Sequence, residues 1–367
     1  MSPPGVGHRE SDHATVTARL LSDAVYDTRY YHGVRTIGGR GELGKESPVR
    51  VPTRQLPIMR GSPMETEDAR VGWWERDRTR SNLRTLVEER PYVLVAGAWD
   101  AWSATLLERA GVEAIGVTGV GTAGARGWPD LGMIGAEEFA QTVEAMRRVV
   151  EIPILCDVDT GFGGPVQVAR TIRLIEEAGG NGVHIEDQEN PKQTGLTTVA
   201  VVDVPVMVER IAAACAARSD PDFLIIARCD AALSSPLDDA IERCQAYLDA
   251  GADGTMLVFP RTEDEMQEIG RRVPGIKMIS VGNWSDSWKW SFDDMAAAGF
   301  SLIDAALYPL FAALEGMTGF LDRYVSERRV DFVEEGDSVT EIAYLNELLG
   351  YARYDNLKEL AAPTSTE

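Results

Sequence analysis

The sequence predicts an α/β protein built as a closed (β/α)8 barrel, the TIM-barrel architecture, with extra helices at its C-terminus. Three observations carry this reading. Eight short apolar runs of strand length recur after residue 76, amphipathic stretches of helix length separate them, and acidic side chains crowd the ends of successive runs. Strand alternating with helix implies a parallel sheet, and eight such units close on themselves instead of forming an open sheet.

In chain order the strand candidates are YVLVA (92–96), AIGVT (114–118), PILCDV (153–158), GVHIE (182–186), FLIIAR (223–228), GTMLV (254–258), KMISV (277–281) and SLIDAA (301–306). Between them lie AWSATLLERAG, EEFAQTVEAMRRVV, VQVARTIRLIEEAG, VPVMVERIAAACAAR, PLDDAIERCQAYLDAG and TEDEMQEIGRRV, several closed by the glycine expected just past a helix end. Residues 1–75 are polar, rich in Gly, Pro and Arg and without sustained periodicity, so they form an N-terminal arm, poorly structured or docked on the body. The barrel takes residues 76–315. Residues 316–367 form a C-terminal helical extension, in which VTEIAYLNELLGYARYDNLKELAA reads as two further helices.

Composition narrows the partners. A chain of 367 residues with 44% apolar and 26% charged residues has the balance of a globular protein. Its formal charge of -22 argues against nucleic acid, whose phosphates need clustered Lys and Arg, and is compatible with a divalent cation. Cys156, Cys215, Cys229 and Cys244 show no CxxC spacing, which suggests neither a zinc site nor a disulfide framework and fits reduced thiols in a cytoplasm. No apolar run reaches membrane-spanning length and no signal-peptide pattern opens the chain, so a cytoplasmic location without a membrane partner is expected.

In a parallel barrel the active site gathers at the carboxyl ends of the strands. There the third run ends in Asp157-Val158-Asp159-Thr160-Gly161, the fourth in Glu186-Asp187-Gln188 and the fifth in Arg228-Cys229-Asp230. Alternation along a strand puts Asp157 and Asp159 on one face, toward which Glu186 converges. Carboxylates so placed repel one another, and a hard cation with oxygen ligands relieves the repulsion; magnesium is the natural choice, with manganese as a substitute. Arg228 has the planar fork that grips a carboxylate or phosphoryl group, although a buried structural ion pair is the alternative. The glycine-containing turn Thr118-Gly119-Val120 after the second run offers backbone N–H groups and a hydroxyl to a substrate carboxylate. His184 is the only histidine in the predicted barrel, and no nucleophile motif accompanies it.

The runs VTGVGTAGARGWPDLGM, PILCDVDTGFGG, GVHIEDQENPKQTG and LIIARCDA resemble the phosphoenolpyruvate mutase and isocitrate lyase superfamily from about Tyr92 to about Leu360. The resemblance implies a magnesium site made by Asp157, with Asp159, Glu186 and Asp130 ligating directly or through water. It also implies a substrate carboxylate held by Thr118, Gly119 and Val120, an anionic group held by Arg228, and Lys192 on a loop that closes over the substrate. Thr194 in that loop completes the catalytic candidates with Lys192 and Arg228, and Asn283, after the seventh strand, joins the substrate-binding ones. Homotetramers that exchange the last barrel helix between subunits are a further implication.

Two departures bear on the reaction. Lyases of this family carry a KKCGH or KRCGH loop whose cysteine protonates the enolate product, whereas this loop reads Lys192-Gln193-Thr194-Gly195-Leu196. The mutase branch carries EDK and a PKxNS loop, whereas here Gln188 follows Glu186-Asp187 and Gly195 stands in place of the serine. The sixth strand ends in Leu257-Val258-Phe259 where the mutase branch has a His and many lyases a Glu. The expected function is therefore a magnesium-dependent lyase that cleaves a C–C bond of a small methylisocitrate- or malate-like carboxylate through an enolate, with another donor in place of the cysteine. The alternatives are a phosphonopyruvate-type mutase or hydrolase, and a non-catalytic protein of the same fold.

Overall fold

The computed structural model describes residues 82–192, 199–282, 285–331, 342–351 and 354, all within a compact unit spanning Gln55–Glu367. The arm expected over residues 1–75 lies outside the described residues. Eight parallel strands, β1 (Val93–Ala98), β2 (Ala114–Val117), β3 (Ile154–Asp157), β4 (Gly182–Glu186), β5 (Leu224–Cys229), β6 (Gly254–Leu257), β7 (Ile276–Ser280) and β8 (Leu302–Ala305), pair in chain order. β8 returns to β1 through Val93↔Leu302 and Val95↔Asp304, closing the barrel. Each strand lies within two residues of its sequence-derived bounds.

Alternation along these strands produces two cores. Inward-facing Val93, Val95, Leu155, Ile226, Met256 and Met278, with their neighbours, form one buried cluster in the lumen. The residues between them, such as Ile115, Ile154, Val183, Ile225 and Ile303, form the other with the surrounding helices. The lumen is closed by α1 (Leu83–Glu89), whose Leu83 is fully buried against the inner cluster. Burial of a leucine contributes about 2–3 kcal/mol.

The helices follow as α2 (Ala101–Arg109), α3 (Gly119–Gly124), α4 (Ala136–Arg147), α5 (Pro165–Glu177), α6 (Val204–Ala217), α7 (Leu237–Asp249), α8 (Glu263–Arg272), α9 (Phe292–Ala297), α10 (Tyr308–Glu327) and α11 (Ile342–Leu348). Their starts are written locally. Asp100 accepts from the Ser103 N–H and Ser103 returns a contact to the cap backbone, while α5 begins with proline, which has no N–H to leave unpaired. Gly179 and Gly251 follow α5 and α7 at φ 96° and 107°, the left-handed turn that ends a helix at little cost only in glycine.

Two segments differ from the sequence reading. The glycine-containing stretch after β2, read as a turn, is the short helix α3, with Thr118 as its cap. α10 runs for 20 residues across the expected boundary at residue 315, so the last barrel helix and the start of the extension are one element. Of the two helices expected in the tail, α11 is described, and most of the second lies outside the described residues.

Candidate active site

The carboxyl ends of β2 to β5 place the polar side chains of the site together. β3 stops at Asp157, and the chain turns through Asp159 at φ 46°, Gly161 at 79° and Phe162 at 63°. Asp159 therefore meets Asp157 through a left-handed turn and not by strand alternation, and its N–H donates to the Asp157 Oδ1 at 3.0 Å. Such backbone is costly for a non-glycine residue and persists where surrounding contacts hold it.

Lys192 joins these acids to the β2 loop. Its Nζ lies 2.5 Å from the Asp159 Oδ1 and 2.7 Å from the Asp130 Oδ1, and the side chain is buried. Gly119 faces the same space: a Cβ there would stand 3.1 Å from the Asp157 Oδ2, 3.4 Å from the Lys192 Nζ and 3.5 Å from the Asp130 Oδ1. Thr118 is buried and caps α3, whereas Val120 is exposed.

Arg228, at the end of β5, spans the other side. It donates from Nε and Nη2 to the two oxygens of Asp230 at 2.8 and 3.0 Å, and its nitrogens lie 3.3 Å from the Glu186 Oε2 and 3.7 Å from the Asp157 Oδ2. Glu186 is fully buried, and among the described residues neither of its carboxylate oxygens has a hydrogen-bond partner. Thr194 and Asn283 lie outside the described residues.

The electrostatics follow from burial and from this mixture of charges. Burial alone would raise the Asp157 carboxyl, but His184, Lys192, Arg228 and the Asp159 N–H outweigh it and hold the group below its usual range. Burial pushes His184 down, only partly offset by Asp157, so Lys192 and Arg228 are the charges that count at neutral pH. Burial raises Asp159 to about 6 against the opposing pull of Lys192, and raises Glu186 well above the usual carboxylate range. Burial would depress the Lys192 ammonium, yet Glu186, Asp159, Asp157 and Asp130 raise it, so it stays charged.

Among the described residues no group of three His, Cys, Asp or Glu side chains is already gathered as a metal cage. The ammonium of Lys192 stands between Asp159 and Asp130 instead. The donor chemistry nevertheless fits a hard divalent cation: Asp157, Asp159, Glu186 and Asp130 offer only oxygen, and the Glu186 oxygens, which accept no hydrogen bond among the described residues, are the kind of buried acceptor that a cation or its waters satisfy.

Several side chains of the site were given no role by the sequence reading, although Asp187, Gln188 and Asp230 were placed at the strand ends. Asp230 orients Arg228 from the first position past the end of β5. Gln188 donates to the Asp230 Oδ2 at 2.5 Å, the Asp230 N–H donates to the Asp187 Oδ1, and the Tyr247 O–H donates to the Asp187 Oδ2 at 2.8 Å. Nothing in the sequence of α7 singles out Tyr247. Asp304, an acid inside the apolar run of β8, is buried in the lumen, and its Oδ1 has no hydrogen-bond partner among the described residues.

Residues 83–323 match the family model described as phosphoenolpyruvate phosphomutase. The chain is 36% identical over 282 residues to a probable 2-methylisocitrate lyase 1 of Corynebacterium glutamicum, covering 76% of this chain and 91% of that protein. Its fold matches a phosphoenolpyruvate phosphomutase from Streptomyces platensis subsp. rosaceus at a TM-score of 0.72 with 26% identity, over 76% of this chain and 98% of the other. It also matches a phosphonopyruvate hydrolase in complex with oxalate and Mg2+ at a TM-score of 0.67 with 25% identity, over 77% of this chain and 98% of the other.

Proposed function

The chain belongs to the phosphoenolpyruvate phosphomutase family, whose relatives here are lyases and mutases of small carboxylates, and on that premise we propose that it is a magnesium-dependent lyase that cleaves a C–C bond of a small 2-hydroxy or 2-oxo carboxylate through an enolate. The observation that carries this reading is the convergence of Asp157, Asp130 and Lys192 around the bare Cα of Gly119. A substrate carboxylate fits beside Thr118, Gly119 and Val120, because Gly119 stands without a side chain at the start of α3, next to Asp157 and Asp130. Asp157, Asp159, Glu186 and Asp130 would hold magnesium, or manganese in its place, which when bound supplies positive charge beside a developing enolate.

The chain's own residues have separable tasks. Lys192 remains protonated, so it serves as a fixed charge and closes the site against water instead of taking a proton. Arg228, aligned by Asp230, presents its remaining N–H groups to an anionic substrate group. Thr194 occupies the position of the lyases' proton-donating cysteine and is a poorer acid, which leaves the final proton transfer to another group.

Similarity to a phosphonopyruvate hydrolase over 98% of its length supports a second reading, P–C bond cleavage at the same site. A magnesium-supplemented screen of 2-methylisocitrate, substituted malates, oxaloacetate and phosphonopyruvate separates the two. Release of glyoxylate or another oxo acid from a malate-type substrate supports the lyase. Pyruvate with phosphate from phosphonopyruvate overturns it in favour of the hydrolase, and no turnover of any of them would leave a non-catalytic member of the fold.

The extension supports an oligomer. α10 has no buried residue and exposes Phe311, Leu314, Met317, Phe320 and Leu321. A homotetramer that exchanges this helix between subunits would cover that face. Among the described residues no helix is long and apolar enough to cross a membrane. We place the enzyme in the cytoplasm, a setting that suits the free thiols of Cys156, Cys215, Cys229 and Cys244.

A further inference from the structure

Lys192 lies beyond the end of β4, on a stretch of chain that leaves the barrel at Asp187 and returns to it at Val202, just ahead of α6. The two feet of that stretch pair with each other. The Val202 N–H donates to the Asp187 carbonyl at 2.8 Å, the Glu189 N–H donates to the Ala200 carbonyl at 2.9 Å, and Gln188 and Val201 form an antiparallel bridge between them. Two extended segments so short do not hold together in water by themselves, so their position depends on what grips them from the body.

The grip comes from α7. Arg243 donates from Nη1 to the Val202 carbonyl at 2.9 Å, and the same nitrogen lies 3.7 Å from the Asp187 Oδ2, so one guanidinium reaches the returning foot and the departing foot together. Its Nε donates to Asp239 at 3.2 Å, one turn back on the same helix, which sets its direction. Tyr247, one turn further along, donates its O–H to that same Asp187 oxygen at 2.8 Å. Residues four apart share a face of a helix, so α7 presents the cation and the phenol side by side.

Asp187 also ties in the end of β5. Its Oδ1 accepts from the Asp230 N–H, its own N–H donates to the Arg228 carbonyl at 3.1 Å, and Asp230 aligns the Arg228 guanidinium. Lys192 and Arg228 therefore both stand on backbone that α7 holds.

We infer that Arg243 is a positioning residue: together with Tyr247 it fixes both feet of the Lys192 segment and the Asp187 that orders the end of β5, and so sets where the two cations of the site stand. Its consequence for ligand binding rests on the carboxylate-site reading given above, whereas its consequence for Lys192 does not.

The test is amine labelling of the full chain with an acetylating succinimidyl ester, read by mass spectrometry as the rate at Lys192 against the rate at exposed Lys289, beside calorimetric titration with oxalate in magnesium. In the wild type, Lys192 is buried against Asp159 and Asp130 and should label far more slowly than Lys289. Arg243→Met keeps a long side chain without its donors. It should raise the Lys192 rate about tenfold or more, the weight of one charge-assisted hydrogen bond, leave Lys289 unchanged and weaken oxalate binding by a similar factor. Arg243→Lys restores a donor for the Val202 carbonyl and should recover most of both effects. Tyr247→Phe keeps the ring and removes only the hydroxyl, so it should move Lys192 in the same direction and decides the matter if Arg243→Met does not fold. Unchanged Lys192 labelling or unchanged oxalate affinity in the folded variants overturns the proposal, as does a joint rise at Lys192 and Lys289, which would mean a general loosening of the fold. If oxalate fails to bind the wild type, the carboxylate reading falls, and the Lys192 rate alone then upholds or overturns the role of Arg243.

Discussion

Asp230 accepts two parallel hydrogen bonds from Arg228, 2.8 Å from Nε and 3.0 Å from Nη2, and so sets the plane of the guanidinium two residues before it on the chain. Asp230 is itself held by Gln188 and, through its N–H, by Asp187. The arginine is thus aimed by a buried relay that reaches Tyr247 on α7.

Asp230→Asn should therefore lower kcat/KM by about tenfold or more, since a charge-assisted hydrogen bond is worth roughly 1.5–3 kcal/mol. Arg228→Lys should weaken substrate binding at least as much, because a point ammonium cannot reproduce the fork. Steady-state kinetics and thermal melts of both variants check this. If Arg228→Lys unfolds the protein while the remaining folded fraction works normally, the pair is only structural.

Asp157→Ala is expected to abolish magnesium binding and activity while the barrel stays folded. It removes a charge from a cluster crowded with acids and gives up little apolar burial. Calorimetric titration with magnesium decides, and equal affinity in variant and wild type would remove Asp157 from the metal site.

Asp304 gives the protein a stability term with a definite sign. Burial, reinforced by Asp157 and opposed by Arg228, raises its carboxyl to about 7, against 3.8 for the unreinforced group. A carboxyl whose folded value is raised contributes its stability fully below about 3.8 and loses it as pH climbs through about 7, because the folded protein resists the ionisation that the unfolded chain permits. The whole shift corresponds to roughly 4 kcal/mol at most. Asp304→Asn should therefore raise Tm more at pH 8 than at pH 5, as paired thermal melts would show. An equal change at both pH values would mean that Asp304 does not ionise differently on folding.

The barrel was legible in the sequence because its signals are local. Apolar runs such as GVHIE and FLIIAR have the length of strands, and glycines such as Gly179 and Gly251 close the helices between them. The acids at the strand ends were legible too, since position on a strand fixes the end of the barrel they face. What escaped depends on contacts between distant segments. Lys192 lies among Asp130 and Asp159 because three loops meet, Tyr247 reaches Asp187 across 60 positions, and the turn that brings Asp159 to Asp157 is left-handed where alternation predicts extended chain. The helix α3 was misread because a stretch with three glycines in six residues has poor helix propensity, and the Thr118 cap and its burial stabilise it.

α10 offers the clearest test of assembly. Over 20 residues it buries no side chain, yet Met317 is 62% exposed, Leu314 52% and Phe311 47%, a run of apolar surface that a helix facing water would not keep. Residues 314, 317 and 321 recur at helical spacing, so they share one face, and Phe320 stacks on Tyr324 with ring centroids 5.8 Å apart. If this face packs against other copies of the chain, Met317→Asp should break the assembly by placing a charge in an apolar contact. The molar mass from light scattering should then drop by a factor of two or four, and the variant should gain dye-accessible apolar surface. Because Met317 is exposed on α10 and contributes nothing to the buried cores, the circular dichroism of the barrel should remain that of the folded protein. An unchanged mass, or a wild type that is already monomeric, would show that α10 is covered by something other than a second copy.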